Sequence, residues 1–418
     1  MRQINWAGKT VRFFNITKEK TMNEFTYKTD ALTHGISSEA GLIASNWARR
    51  PADERFTTLQ ALRDFKFNDY QMMQADVLNV KNLHINGDVD ENDIRQGKIT
   101  LEFTDQNKQE HQAVPTHWSF GQISSLAGAP AGYLRDLPAP LAADCVKWGL
   151  LENRNKELVK SYKSTKGQLR ALTGSEYGRI YDWEIVAAVQ EIAAATKFKI
   201  PGYITGSENG MAVYDPFAPV TNESTTIYGS DRDVFIFLVD DLNPIEIGKL
   251  PNGEPDLVFR GFYISNSEVG AKSCKIATMY MRGVCQNRYA WGVEDFSEIT
   301  IRHTKFAAER FSDEAQPALR SFSNGSTTKV LDGIQAAQDA QIAEDEEQAL
   351  KFLQKRVGLS ARMAKAAYSR HGEEEQKPLK TIWDASNAIT AIARDIPHQD
   401  NRLDLERKAG QLLDTVAA

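Results

Sequence analysis

Val234-Phe235-Ile236-Phe237-Leu238-Val239, closed by Asp240 and Asp241, is the longest clean apolar run in the chain. A bilayer span takes about 20 apolar residues, so this run suits a strand instead. Its neighbours repeat the pattern. Gly210–Tyr214 and Thr225–Tyr228 precede it, and Asp256–Ser265 and Lys272–Arg282 follow, with polar or Gly/Pro-rich turns between. That succession predicts an antiparallel meander over 200–285.

Outward from this sheet the signals are mixed. Phe65 to Phe103 reads as short strands around turns such as Asn86-Gly87-Asp88, and Trp118–Leu126 and Leu141–Leu151 read as helices. Leu169–Leu172, a turn at Gly174-Ser175-Glu176 and Tyr177–Tyr181 read as strand, turn and strand. Asp182 suits a helix N-cap, with Ile185, Val186, Val189 and Ile192 on one helical face behind it. After Thr300 the strand signals fade and helices take over. Residues 1 to about 55 are polar and mixed, carry Phe13, Phe14, Phe25 and Tyr27, and end in Arg49-Arg50-Pro51, a plausible boundary. The expected fold is α+β: a central antiparallel β-meander with helices on one side and a helical C-terminal region. Three regions are expected: 1–110 mixed, 111–320 the core, and 321–418 helical.

The 418 residues carry 50 basic and 56 acidic side chains, a formal net charge of -6, so any nucleic-acid surface must be a local patch. Three cysteines are too few for a disulfide framework, and no apolar signal-peptide core follows Met1, so a cytoplasmic protein is expected, without a membrane span. No phosphate-cradling G-x-x-x-x-G-K-[ST], no dinucleotide fingerprint, no zinc spacing and no nucleophile elbow occurs. No catalytic residue, metal or cofactor is therefore expected.

Two basic, aromatic stretches stand out. Val146–Ile180 holds eight basic residues, including Lys163, Lys166, Arg170 and Arg179, against three glutamates, with Tyr162 and Tyr177 among them and Tyr181 and Trp183 just beyond. Gly270–Val293 holds Lys272, Lys275, Arg282 and Arg288 with no acid, beside Tyr280, Tyr289 and Trp291. Phosphate neutralisation uses Lys and Arg, and flat π faces stack bases of any sequence. The competing reading is a basic helix face paired with acids elsewhere and aromatics in the core.

Asn266-Ser267-Glu268-Val269-Gly270 reads as a tight turn whose small polar side chains bond local backbone. Glu268 is then a buried acceptor, a magnesium ligand or a turn-stabilising surface acid; with one carboxylate, the turn role is preferred. Downstream stand Cys285 and Asn287.

At these residues the sequence resembles the phage- and plasmid-associated proteins of "domain of unknown function 932". The resemblance rests on N-S-E-V-G (266–270) followed by Cys285-x-Asn287, and on Arg170-Ala171 with Ser175 and Tyr177. It also rests on Ala127-Gly128-Ala129-Pro130 with Tyr133-Leu134, and on Trp383, Asn387, Ala388 and Thr390 of WDASNAIT. It spans roughly 115–300 plus that last motif, and Arg288 stands where the family has glycine. Much more loosely, the meander followed by a helix resembles annealing proteins of the Rad-fifty-two type.

These resemblances imply a mobile-element single-stranded DNA-binding and strand-annealing protein, acting without ATP as an oligomeric ring in recombination or replication. Lys163, Lys166, Arg170, Arg179, Lys272, Lys275, Arg282 and Arg288 would hold phosphates and Tyr177 or Tyr289 would stack bases. Partners would be single-stranded DNA, further copies of the chain, and phage or host replication and recombination proteins. Two alternatives remain: an interaction protein that neutralises a host factor, and a metal-dependent nuclease using Glu268 with Asp240 or Asp241.

Overall fold

The computed structural model describes residues 52–416 except 91–92, 106, 153–157, 209–210, 251–252, 284, 286, 292–297, 324–326 and 397–398, together with 4–6 and 9–11. The expected boundary at Arg49-Arg50-Pro51 and the first aromatic cluster lie outside the described residues. Strands β1 (Ile4–Trp6) and β2 (Lys9–Val11) pair as a short ribbon. The chain then enters β3 (Arg55–Phe56) and helix α1 (Leu59–Gln71), capped by the Thr58 hydroxyl accepting from the Ala61 amide. Phe65–Gln71, read as strand, is thus helical: Leu62 and Lys66 lie four apart on the buried face, a period that the strand reading passed over.

The first sheet holds β4 (Met73–Asn79), β5 (His84–Asp90), β6 (Asp93–Thr104), β7 (Glu110–Pro115), β8 (Leu158–Ser164) and β9 (Gln168–Gly174) in the order β4-β8-β9-β7-β6-β5. All its pairings are antiparallel except β7 with β9. Between β7 and β8 run α2 (His117–Leu126), α3 (Ala131–Asp136) and α4 (Ala139–Glu152), as the periodicity of 118–126 and 141–151 predicts. Phe120, Ile123, Ala142, Val146 and Leu150 close one core with Leu101, Val159 and Leu169 of the sheet. Tyr177–Tyr181 is not a strand; it leads irregularly into α5 (Asp182–Ala195), whose N-cap is Tyr181. The Asp182 side chain is drawn elsewhere, as described below.

After the hairpin of β10 (Tyr203–Glu208) and β11 (Met211–Asp215) comes the second sheet. It comprises β12 (Ile227–Gly229), β13 (Val234–Lys249), β14 (Pro255–Asn266), β15 (Cys274–Arg282), β16 (Arg288–Tyr289) and β17 (Glu298–Ile301), with β3 added beyond β12. Thr225–Tyr228, Val234–Asp240, Asp256–Ser265 and Lys272–Arg282 form the expected meander here, extended by β3 from the first hundred residues, whereas Gly210–Tyr214, expected in it, pairs with β10 in the separate hairpin. Because strand side chains alternate, the run 234–239 splits between two cores. Val234, Ile236 and Leu238 join α5 and the C-terminal helices, whereas Phe235, Phe237 and Val239 join Phe259, Tyr263, Met279 and Leu403 on the other face. The run is continuous because both faces are covered.

The C-terminal region comprises α6 (Ala307–Arg310), α7 (Gln316–Ser323), α8 (Thr328–Asp339), α9 (Glu346–Lys355), α10 (Ala361–Glu375), α11 (Ile382–Ala393) and α12 (Gln399–Asp414). A capping box of Thr381 and Asp384 starts α11. Trp383, Ile389, Leu405 and Leu412 pack inside this chain's own core. Among the described residues, no helix is long and apolar enough to cross a membrane.

Candidate functional site

The turn between β14 and β15 is the point where both sheets and two helices meet. Gly270 adopts φ +88, which L side chains avoid, and lets the chain reverse. The residues before it do not face water. Asn266 donates through Nδ2 to the Ile180 carbonyl (2.9 Å) and to Asp182 Oδ1 (2.8 Å). Ser267 Oγ donates to the Arg232 carbonyl at 2.6 Å and accepts from the Ala271 amide at 2.9 Å. Tyr177 donates its hydroxyl to the Ser267 carbonyl (2.9 Å), and Arg179 donates to that of Glu268.

Glu268 is buried, a correction to the surface-acid reading. Its Oε2 accepts from the Asp182 amide at 3.2 Å, and its Oε1 lies 3.5 Å from the Arg170 guanidinium. Arg170, on β9, also pairs with Asp69 of α1 and donates to the Asp231 carbonyl. Lys66 of α1 donates to Asp182 Oδ2 (2.8 Å) and to the Ser230 carbonyl (2.6 Å). Lys66, Asp69, Arg170, Asp182 and Glu268 are all buried, so two cations face three carboxyl groups. Burial first, and the neighbouring Asp182 charge second, push the Glu268 carboxyl up to about 7, against the pull of Arg170 and Lys66.

Beside the turn opens a cleft of about 610 Å³ lined by His117, Trp118, Gln122, Arg135, Thr173 and Tyr177, with Gly270 at its wall. Trp118 Nε1 and Gln122 Nε2 both donate to the Val269 carbonyl, at 3.0 and 2.8 Å. The cleft is thereby tied to the charge cluster through one peptide. Arg135 Nη2 donates to the His117 carbonyl at 2.8 Å. Burial, then the Arg135 and Arg232 charges, hold the His117 imidazole down at about 4, neutral at physiological pH. The arrangement presents an indole, a phenol ring, a neutral imidazole and a guanidinium to one space.

A second buried cluster joins the other motif residues. Arg282 Nε donates to Asp256 Oδ1 at 2.9 Å and Nη2 to Asp256 Oδ2 at 2.7 Å. Its Nη1 pairs with Glu375 and donates to Asn387 Oδ1 at 3.0 Å. Tyr289 donates its hydroxyl to the same Asn387 oxygen, and Asn287 Nδ2 donates to the Asn387 carbonyl at 3.3 Å. Cys285 is a buried free thiol, raised by burial, whose carbonyl accepts from Arg394. The Tyr289 and Trp383 rings stack at 5.3 Å.

The ten residues expected on nucleic acid therefore do not share one groove. Arg170, Arg282 and Tyr289 are interior and bound within the chain, and Lys163 is buried on β8. The outward, phosphate-holding role of these cations and the base-stacking role of Tyr289 are corrected: a guanidinium fork satisfied by carboxylates and carbonyls can be buried, and a count of basic residues does not reveal it. Arg288 lies 4.4 Å from the Phe237 ring centroid, with burial lowering it to about 10. Lys272 is 3.5 Å from Asp233 and Lys275 3.9 Å from Glu298. Arg179 covers the Tyr162 ring at 4.1 Å. Lys166 is exposed at the β8–β9 turn, and Tyr177 lines the cleft.

Asp241 accepts from Lys199 (2.8 Å), Tyr214 (2.7 Å) and the Gly202 amide (3.0 Å), a cluster separate from Glu268. Asp240 bonds Asn243. Among the described residues, no group of three His, Cys, Asp or Glu side chains is placed to hold a metal ion. Sequence reasoning missed His117, Gln122 and Arg135, which join Tyr177 only through the packing of α2 on β9 and of α3 on α2. Trp118 was read merely as a helix start.

Residues 220–408 match the family model described as "Domain of unknown function (DUF932)". The match includes Asn266–Gly270, Arg282, Cys285, Asn287 and the Trp383–Thr390 motif, and it extends through helices α6–α11, beyond the stretch the motifs suggested. It does not include Arg170, Tyr177 or the upstream Tyr133-Leu134. No curated protein and no solved structure matches the chain.

Proposed function

We propose that this DUF932-matching chain binds single-stranded nucleic acid, and that the cleft beside Gly270 is where bases lodge. The observation that carries the reading is the convergence of Trp118, Tyr177 and Arg135 on one space of about 610 Å³. Aromatic faces accept any base, with stacking worth about 1–3 kcal/mol per base, and a guanidinium supplies a phosphate or cation–π contact. Val159 and Leu172 give the cleft an apolar floor, and the Gly270 turn lets backbone approach closely. The mobile-element setting implied by the resemblance extends this reading to passive, ATP-independent strand annealing by a closed homo-oligomer during recombination or replication.

An anisotropy titration with single- and double-stranded oligonucleotides at two salt concentrations tests it. Single strands should bind more tightly, with quenching of Trp118 fluorescence. Trp118→Ala and Arg135→Ala should each weaken binding at least fivefold, and Arg135→Ala should also flatten the salt dependence, since each lost phosphate contact removes about 0.7 from the log–log slope. Binding that neither variant alters would remove the cleft from the reading.

A further inference from the structure

Helix α4 carries two unlike faces. Ala142, Val146 and Leu150 are buried in the first core, while Leu141, Trp148 and Leu151 are 50, 68 and 67% exposed. Cys145, a free thiol, is exposed between them. Positions 141, 145, 148 and 151 follow helical spacing, so they form one stripe. Exposed apolar patches mark contact sites, and tryptophan is the residue that most often anchors them. Asp144 and Lys147 flank the stripe at the mouth of a second cleft, between α4 and strands β5 and β6.

We infer that this stripe is a self-association surface, on which α4 of a second copy lies antiparallel across a two-fold axis near Cys145 and Val146. The order of residues favours a second copy. Leu141 and Leu151 each stand five residues from Val146, roughly 7.5 Å along the helix. An isologous pairing therefore sets Leu141 against the partner's Leu151, and brings Asp144 beside the partner's Lys147, twice over. One helix supplies both halves of the apolar match and both halves of the charge match. Trp148 then covers the centre beside Cys145. This surface is separate from the nucleic-acid reading, because α4 contributes no side chain to the cleft at Gly270. A two-fold contact closes at a dimer, so an annealing ring would need a further, head-to-tail surface.

Sedimentation velocity of the full chain without nucleic acid tests the proposal. The wild type should run as a dimer, and Trp148→Glu as a monomer with an unchanged melting temperature. Asp144→Lys and Lys147→Asp should each weaken association at least tenfold, and the double exchange should restore most of it. A thiol-specific bifunctional cross-linker should join two chains through Cys145 in the wild type and not in Trp148→Glu. A monomeric wild type overturns the proposal, as does an assembly whose mass Trp148→Glu leaves unchanged. Charge exchange that fails to restore association overturns the two-fold register. None of these readouts depends on oligonucleotide binding.

Discussion

Among the described residues, Arg282 and Arg170 each centre a buried cluster, and the two are balanced differently. Around Arg282, one guanidinium meets Asp256 in a two-point contact, Glu375, and the amide oxygen of Asn387, which also receives Tyr289. Burial works against the charge, yet Cys285, Asp256 and Glu375 together hold Arg282 well above its ordinary range. Around Arg170, two cations face three carboxyl groups, and the imbalance falls on Glu268. The first cluster ties the end of β15 to α10 and α11 within one core. The second lies where the two sheets meet, one peptide from the cleft. Around Arg282 each guanidinium nitrogen has an acceptor, a lock; around Arg170 the junction keeps a proton that neutral pH can remove.

Breaking the lock should cost most. Arg282→Met strands Asp256 in the interior and leaves Glu375 unpaired beside it, and loss of one partner of a buried pair costs about 3–5 kcal/mol. Chemical denaturation should show that loss, without a dependence on pH between 6 and 8. A loss below about 1 kcal/mol would mean that the cluster adds nothing beyond shape.

At the junction, Gly270→Val should cost less, about 1–3 kcal/mol, from the forced left-handed backbone. The added Cβ would stand 3.3 Å from Gln122 Nε2, so the cleft wall shifts as well. Thermal melting should fall together with oligonucleotide affinity. Wild-type melting with lost binding would make the turn a direct ligand contact.

The smallest effect should fall on the shape of the pH profile. The Glu268 carboxyl titrates near 7 in the folded chain, above its ordinary 4.5. The native state therefore binds more protons than the unfolded state. Its stabilising contribution is fully present below pH 4.5 and is lost as pH rises through about 7. Glu268→Gln keeps the shape without the charge, so its stability should decline less than wild type between pH 6 and 8. Parallel profiles for the two proteins would show that Glu268 is ionised in both states. His117 works in the other direction. Held at about 4, it takes up protons mainly on unfolding, so its contribution is present above pH 6.5 and fades as pH falls towards 4.

The sequence by itself determined strands β12 to β15 of the second sheet, because an uninterrupted apolar run such as 234–239 and the turns beside it are local signals. It also determined helices α2 and α4 by periodicity, and the motif residues 266–270, 285–287 and 383–390 as a group worth attention. Tertiary structure decided what those residues do. Strand or helix at Phe65–Gln71 turned on which core took Leu62 and Lys66, and the direction of Arg170 and Arg282 turned on carboxylates from other segments. Asp69 lies 101 residues from Arg170, and Asn387 lies 105 from Arg282. A lysine or arginine reads the same in a sequence whether its charge meets phosphate outside or aspartate inside. Only the three-dimensional neighbourhood, through burial and Coulomb partners, tells the two apart.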